Sequence, residues 1–459
     1  MGPQAIDRLR EFLAQLPPQS QALLMREFER AVESGQDVAV ANLVLEQLRK
    51  VVRRDSDNER PRIADASRLI LEPLEPFLSE TSHAGPGQVR RASLLPIWQW
   101  LQREAIPDEA RKLEAAINSD RDIDKAIRAF QLAASETIAK AVSPNGGPDS
   151  RSIGRIGAPS VVEDLGPVGA ILGAREALET LGNRLPLTLR TFAESHIAST
   201  LDALNVPSLQ TPTVLPFALA LVMQRLGSSW HIVRLAIKVV ASDDEIRVAS
   251  TPFGVAVSMA LHDLARVALT LRSDIKRGRF DDISSHLKTV HDGIRGLRTE
   301  LDIRSDSAWG RQLASIRVEI SSALQSEIES VPGKVRRLLR QRPDKEITAA
   351  SKIDTMDVDE TVALIDFVAT CRNYASELAI NEVTLRTYSE LQHYVERSTE
   401  AIVASLRTPD QRVRAFRKAQ ADAAVRFCEI LFGFDYASLM SKAADNAVYV
   451  ERKAAPKAG

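Results

Sequence analysis

The sequence predicts an all-α protein: a multi-helix bundle with long antiparallel coiled-coil-like helices in its central and C-terminal parts. Ala, Leu, Arg and Glu dominate the composition and aromatic residues make up only 5%, which favours helices over sheets. Apolar residues recur at helical spacing along most of the chain. The clearest periodicity lies in residues 251–331, which predict three long helices in succession.

Each of these three helices carries an apolar seam. The first two seams follow a spacing close to alternating four and three residues, and the third has a looser period. Their members are Val257, Leu261, Leu264, Ala268, Leu271 and Ile275; then Ile283, Leu287, Val290, Ile294, Leu297 and Leu301; then Trp309, Leu313, Ile316, Ile320, Leu324 and Ile328. Short turns separate them, so the helices are expected to be antiparallel neighbours packed seam to seam.

A length of 459 residues indicates two or three domains. Residues 1–142 are predicted to form an N-terminal helical domain. Residues 143–173 contain seven glycines and four prolines, which predicts a linker or loop. Residues 174–345 are then a central helical bundle, and residues 346–459 a C-terminal helical segment that packs on it.

The net charge and the cysteine content indicate which partners are disfavoured and which cellular compartment is expected. The net charge of −1 gives the chain as a whole no electrostatic attraction for nucleic acid or an anionic membrane. The two cysteines, Cys371 and Cys428, both lie in helical patterns and suit a reducing compartment. No continuous apolar stretch typical of a signal peptide occurs near the first residue. A cytoplasmic location is therefore expected.

One arrangement of histidines suggests metal chemistry. His231 precedes the pair His262-Asp263, and the stretch ALHDLAR (260–266) resembles the metal-binding core of the HD-domain phosphohydrolases. This resemblance implies a metal-dependent phosphohydrolase that uses those three residues. However, the family's Ile-Gly-Lys-like continuation is absent and no final aspartate is identifiable. The seam register also turns His262 and Asp263 away from the apolar stripe, so we predict polar surface or interface residues and no metal.

Other catalytic signatures are missing. The sequence contains no phosphate-binding loop, no G-x-G-x-x-G following a strand and no G-x-S-x-G nucleophile elbow. It therefore identifies no catalytic residue, no cofactor and no small-molecule ligand.

A basic segment at residues 333–345 is the most charged local feature. Its cations surround Val335, Leu338 and Leu339, which predicts an amphipathic cationic helix that could bind an anionic surface or a partner. They are Lys334, Arg336, Arg337, Arg340, Arg342 and Lys345. The alternative is that they pair with the acidic residues just downstream, from Asp354 to Glu360. No aromatic residue is interleaved, which disfavours nucleic acid.

The stretches RLILEPLEPFL (68–78) and RRASLLPIWQWLQRE (90–104) resemble uncharacterised bacterial all-helical proteins that have no assigned activity. The resemblance implies a bacterial protein and no function. The sequence as a whole favours a non-enzymatic helical interaction or scaffold protein, whose partner is another protein or a second copy of the chain. Two alternatives are the HD-type phosphohydrolase and peripheral membrane association through residues 333–345.

Overall fold

The computed structural model describes residues 63–119, 121–143, 153–154, 156–280, 282–348 and 350–454, together with Leu24, Phe28, Val44 and Leu45. Those four residues are helical, and the rest of the helices predicted within residues 1–62 lie outside the described residues. The described chain is helical almost throughout, and its one sheet consists of two strands of two residues each. The prediction of an all-α helical bundle is confirmed.

The chain divides into two compact units, and the first comprises residues 1–75 and 91–173. Its core includes the rings of Trp98 and Phe130, whose centroids lie 5.5 Å apart. Its described helices are α1 (Ile63–Leu71), α2 (Arg91–Trp100), α3 (Pro107–Ser119), α4 (Ile123–Val142) and α5 (Pro159–Gly173).

Helix α5 corrects part of the predicted linker at residues 143–173. The glycines of this helix face α4: a Cβ added at Gly169 would lie 2.7 Å from Ile138 Cγ2. Small residues therefore let two helices approach closely here, rather than mark a turn. Pro159 begins the helix, where a missing N–H has no cost, and Pro167 is accommodated within it. Glycine and proline content alone could not distinguish this use from a loop.

The second unit comprises residues 76–90 and 174–459. It contains the parallel strands β1 (Leu78–Ser79) and β2 (Val89–Arg90). Its described helices are α6 (Arg175–Arg184), α7 (Glu194–Leu204), α8 (Leu215–Met223), α9 (Val233–Val240), α10 (Glu245–Ala249), α11 (Val255–Lys276), α12 (Ile283–Glu300), α13 (Ala308–Leu339), α14 (Thr355–Tyr374), α15 (Asn381–Ser405), α16 (Gln411–Phe432) and α17 (Phe434–Ala454).

The predicted seams lie in the core of this unit. Every seam residue of α11 and α12 is buried, and so are those of α13 except the half-buried Trp309. Helix α11 packs against both α12 and α13, while α12 also packs on α14 and α13 also packs on α14 and α15. Residues 346–459 belong to the same compact unit as residues 174–345, because α14 to α16 pack on α13 and on one another.

One described helical stretch, Pro252–Lys276, is apolar and long enough to cross a membrane by length and composition alone, a test that buried core helices also pass. More than half of its most apolar window, 56%, is buried inside the protein. This burial is the property of a core helix.

Candidate functional site

Two of the three residues of the metal-site hypothesis, His262 and Asp263, line a cleft of about 360 Å³ in the second unit, here called the His262 cleft. His262 and Asp263 of α11 form one side, and segment 76–90 and α8 form the others. Its lining residues are Pro76, Phe77, Leu78, Pro86, Gly87, Gln88, Ala220, Met223, Gln224, Ser229, Met259, His262, Asp263 and Arg266.

Segment 76–90 is held on α8 by specific contacts. The Phe77 ring meets the Phe217 ring edge to face at 5.2 Å, a favourable aromatic geometry. The Gln224 amide donates to the Pro76 carbonyl oxygen at 2.6 Å. At Gly85 the backbone lies directly on the His262 imidazole, because an added Cβ would come within 2.6 Å of its Nε2. The absence of a side chain at Gly85 therefore leaves room for the ring.

Asp263 is held by two partners. Ser229 Oγ donates to its Oδ2 at 2.5 Å, and the Arg266 guanidinium contacts its Oδ1 from Nε at 3.1 Å and Nη2 at 2.7 Å. Burial is the main cause that lowers the pKa of His262 below its ordinary value of 6.5. Asp263 acts in the opposite direction, while Arg266 and His83 lower the pKa further. Burial therefore favours the neutral form of this imidazole.

His231 does not line this cleft. Its ring lies tilted against the Trp230 ring with centroids 4.0 Å apart, and burial lowers its pKa, as does the neighbouring Arg234. Within the described part of the chain, no group of three His, Cys, Asp or Glu side chains is placed to hold a metal ion. The structure thus brings His262 and Asp263 into one cleft and leaves His231 among a different set of side chains.

The first half of the predicted basic segment forms ion pairs with acidic helices of the same unit. Lys334 Nζ lies 2.6 Å from Glu360 Oε1, and Arg336 pairs with Glu390. The Arg336 guanidinium also lies over the Tyr394 ring, 5.9 Å from its centroid. Lys334 thus pairs with one of the acidic residues just downstream, as the alternative predicts, whereas the partner of Arg336 lies beyond the predicted stretch 354–360.

The second half of the segment is different. Arg337, Arg340, Arg342 and Lys345 are exposed, and no carboxylate among the described residues lies within ion-pair distance of them. Across the whole segment 333–345, only Val335, Leu338 and Leu339 are buried, as the amphipathic pattern predicts. Helix α13 ends at Leu339, so the last three of these cations lie beyond it: Arg340 and Arg342 in non-helical chain, and Lys345 in the short 3-10 helix Asp344–Glu346.

The chain that follows α13 packs on α16, and the two form a second cleft of about 420 Å³, here called the C-terminal cleft. Its floor is apolar, and its rim carries hydroxyl groups and two cations. The lining residues are Thr348, Ser351, Lys352, Ile353, Arg412, Ala415, Phe416 and Ala419.

Apolar packing and hydrogen bonds fix the walls of the C-terminal cleft. Ile347 and Ile353 pack with Val413 and Phe416 in a small core cluster. The Arg342 guanidinium lies over the Phe416 ring, 5.6 Å from its centroid, in cation–π geometry. The turn after Ile347 closes through the Ser351 N–H, which donates to the Thr348 carbonyl oxygen at 3.0 Å.

Further cations lie around the cleft on α16. Arg412 pairs with Asp410, which also accepts backbone N–H groups at the start of the helix, and these bonds lower the pKa of the Asp410 carboxyl. Arg417 donates to the Ser405 carbonyl oxygen at 2.7 Å and pairs with Asp344. Each wall of the cleft thus carries one lining cation, Lys352 and Arg412, and the cation on α16 is ion-paired.

Sequence reasoning identified Arg342 and Lys345 but missed Lys352, Arg412 and Phe416. A signal was present in the stretch RVRAFRKAQ (412–420), which combines four cations with one phenylalanine. What the sequence did not show is that this stretch lies beside the end of the basic segment, about seventy residues earlier in the chain.

Comparison of the chain with models of known protein families gave no match. No curated protein and no solved structure matched it either.

Proposed function

We propose that this protein is a non-enzymatic helical interaction protein of the cytoplasm that binds an acidic, amphipathic peptide segment of a partner protein in its C-terminal cleft. The observation that carries the proposal is the cleft's composition: an apolar floor at Ile353 and Phe416 between cationic walls at Lys352 and Arg412. Both cysteines are free and buried, which accords with a reducing compartment.

The chemistry of the ligand follows from the charges that lack a partner. The exposed cations Arg340, Arg342, Lys345 and Lys352 have no carboxylate within ion-pair distance among the described residues. Carboxylates of a partner would supply the complementary charge, which favours association and selects against basic segments. Arg412 already pairs with Asp410, but both are exposed, so exchange of that pair for another costs little.

The apolar floor favours a peptide over a lipid bilayer or a nucleic acid. Phe416 is only 7% exposed and is recessed below the cations, so it suits an inserted side chain better than a planar membrane surface. Base stacking needs an accessible aromatic face, and the face of Phe416 is partly covered by Arg342. A cleft of about 420 Å³ is large enough for the apolar side chains of one helical turn.

Fluorescence anisotropy of a labelled peptide tests the proposal. The probe is an amphipathic helix of about fifteen residues with Leu and Phe on one face and Glu on the other. We expect binding that weakens with rising salt, and a loss of about tenfold in affinity on Lys352→Glu or Arg342→Glu. Lys276→Glu, an equal charge change at an exposed lysine of α11, should leave the affinity unchanged.

The same peptide with Gln in place of Glu, anionic vesicles and a single-stranded oligonucleotide serve as competitors. Equal binding of the Gln peptide would show that the cationic rim plays no part. Vesicles or an oligonucleotide that bind more tightly than the acidic peptide, with loss on Lys352→Glu, would replace the proposed ligand class by lipid or nucleic acid. If Lys276→Glu weakened binding as much as Lys352→Glu, the effect would be one of net charge and not of the cleft.

A further inference from the structure

The His262 cleft differs from the C-terminal cleft in its residues and its chemistry. Its volume of about 360 Å³ falls in the range of small-molecule sites, and polar groups converge there with apolar side chains. On this geometry we propose that the His262 cleft binds a small carboxylic acid with an apolar body. The carboxylate would lie against Arg266 and His262, and the apolar body against Phe77, Met223 and Met259.

The hydrogen-bonding capacity of the lining groups supports an acceptor-rich ligand. Gln88 accepts from the Gly85 N–H at 3.1 Å through its Oε1, which leaves its amide N–H groups to donate. Arg266 directs Nε and Nη2 at Asp263 and keeps Nη1 for another acceptor. Within the described part of the chain, no hydrogen bond uses the His262 ring. The unused groups are therefore mainly donors.

The charge balance disfavours a dianion. Among the described residues that line the cleft, Asp263 is the one carboxylate, and its oxygens are already occupied by Ser229 and Arg266. A carboxylate ligand would add one negative charge beside Arg266 and His262. A phosphate dianion would bring a second negative charge close to Asp263, and the described lining residues include no second guanidinium to offset it. The cleft thus suits a carboxylate better than a phosphate.

The apolar side of the cleft indicates that the part of the ligand outside the carboxylate is apolar. Phe77 is buried against Phe217, and Met259 is 4% exposed, so both present fixed apolar surface. Met223 is half-buried on α8 and its flexible thioether adapts to different shapes. An aliphatic chain or a single aromatic ring would bury its surface there, with the hydrophobic gain that apolar burial provides.

Binding would be coupled to protonation of His262. The charged groups that face this imidazole are Asp263 and Arg266 on its own helix and His83 on segment 76–90. Burial disfavours the charged ring in the free protein, and a bound carboxylate would supply the counter-charge that favours it. The ligand would therefore bind more tightly at about pH 6 than at about pH 8, with proton uptake.

Isothermal titration calorimetry of the full chain with octanoate and with 1-naphthoate tests the proposal. Octanol and phenyl phosphate test the need for a carboxylate. We expect at least one carboxylate to bind, the alcohol and the phosphate to bind at least about tenfold more weakly, and Arg266→Gln to weaken carboxylate binding about tenfold. His262→Gln should abolish the pH dependence, and His393→Gln, at an exposed histidine of α15, should leave binding and pH dependence intact.

Three outcomes would overturn the proposal: neither carboxylate binds, octanol binds as tightly as octanoate, or carboxylate binding is unchanged in Arg266→Gln. Tighter binding of phenyl phosphate would also contradict the assigned class. Circular dichroism melts establish that each variant folds. The Arg266 side chain is 54% exposed, so Arg266→Gln provides a decisive test even if His262→Gln does not fold.

Discussion

Gln420 of α16 donates its side-chain amide to the Leu338 carbonyl oxygen at 2.9 Å, and the same nitrogen lies 3.1 Å from the Arg340 carbonyl oxygen. The last carbonyl groups of a helix have no partner within the helix, so a buried helix end needs such a donor from elsewhere. Gln420 is 3% exposed. This single side chain therefore joins the end of α13 to α16 and fixes the start of the segment that lines the C-terminal cleft.

Replacement of Gln420 by Leu should lower the free energy of unfolding by about 2 kcal/mol, because buried carbonyl groups lose their donor. Urea denaturation of the variant and the wild type measures the difference. Gln341→Leu, at an exposed glutamine one residue beyond Arg340, is the control and should change stability by less than about 0.5 kcal/mol. Equal effects of the two changes would contradict the role assigned to Gln420.

Two glycines inside helices should respond to alanine in opposite directions. A Cβ added at Gly296 of α12 would lie 2.6 Å from the Trp230 indole, a rigid ring, so Gly296→Ala should destabilise by about 2 kcal/mol through overpacking. A Cβ added at Gly182 of α6 meets nothing within 4 Å, so Gly182→Ala should stabilise by about 0.5 to 1 kcal/mol. Thermal melts of both variants would show shifts of opposite sign, and equal shifts would refute the packing at Trp230.

The ion pair between Lys334 and Glu360 should contribute little to stability. Their side chains are 30% and 54% exposed, so solvent screens their attraction. A double-mutant cycle with Lys334→Met and Glu360→Gln should give a coupling energy below about 1 kcal/mol that falls further at high salt. A coupling of several kcal/mol would mean that the pair is more deeply buried in solution than its exposure indicates.

Stability should fall as the pH is lowered through the range in which histidine titrates. His231 and His262 both have a folded-state pKa below the ordinary value of 6.5, mainly through burial. The unfolded chain therefore binds more protons, and folding stability rises with pH. The stabilising contribution of each histidine is complete above its pKa in the unfolded chain. It is lost as the pH falls through its pKa in the folded protein.

Urea midpoints measured between about pH 5 and about pH 8 check this dependence, in a window above most of the carboxyl pKa values. The double variant His231→Gln/His262→Gln should show a flatter profile than the wild type. A profile that is unchanged by the double variant would assign the pH dependence to other groups.

Much of the architecture could be predicted from periodicity. The spacing of Leu261, Leu264 and Leu271 identified a buried helix face correctly, because a helix repeats its faces every 3.6 residues whatever it packs against. The same register placed His262 and Asp263 off the seam, and they are indeed on the side of α11 that lines a cleft rather than among its seam residues. Local spacing is sufficient for such conclusions.

The sites were only partly predictable, since each combines segments that are distant in the sequence. The sequence identified His262 and Asp263 but could not show that Gly85 and Gln88 cover them. It identified the cations from Lys334 to Lys345. It did not show that Lys334 and Arg336 pair with acidic residues of other helices, or that Arg342 lies over Phe416 of the C-terminal cleft. A sequence pattern predicts which side of a helix is apolar or charged, but it does not predict which segment contacts that side.

The sequence by itself thus determined that the protein is all-α, which residues form the apolar seams and where the charged segment lies, because composition and helical periodicity are local properties. Tertiary structure alone decided that residues 159–173 form a helix packed on α4, that α11 lies against both α12 and α13, and that segment 76–90 and α16 complete the two clefts. These outcomes depend on which surfaces meet. The close approach of two helices at Gly169 and the burial of Gln420 against the end of α13 both depend on contacts between segments that are distant in the sequence. No local sequence pattern encodes such contacts.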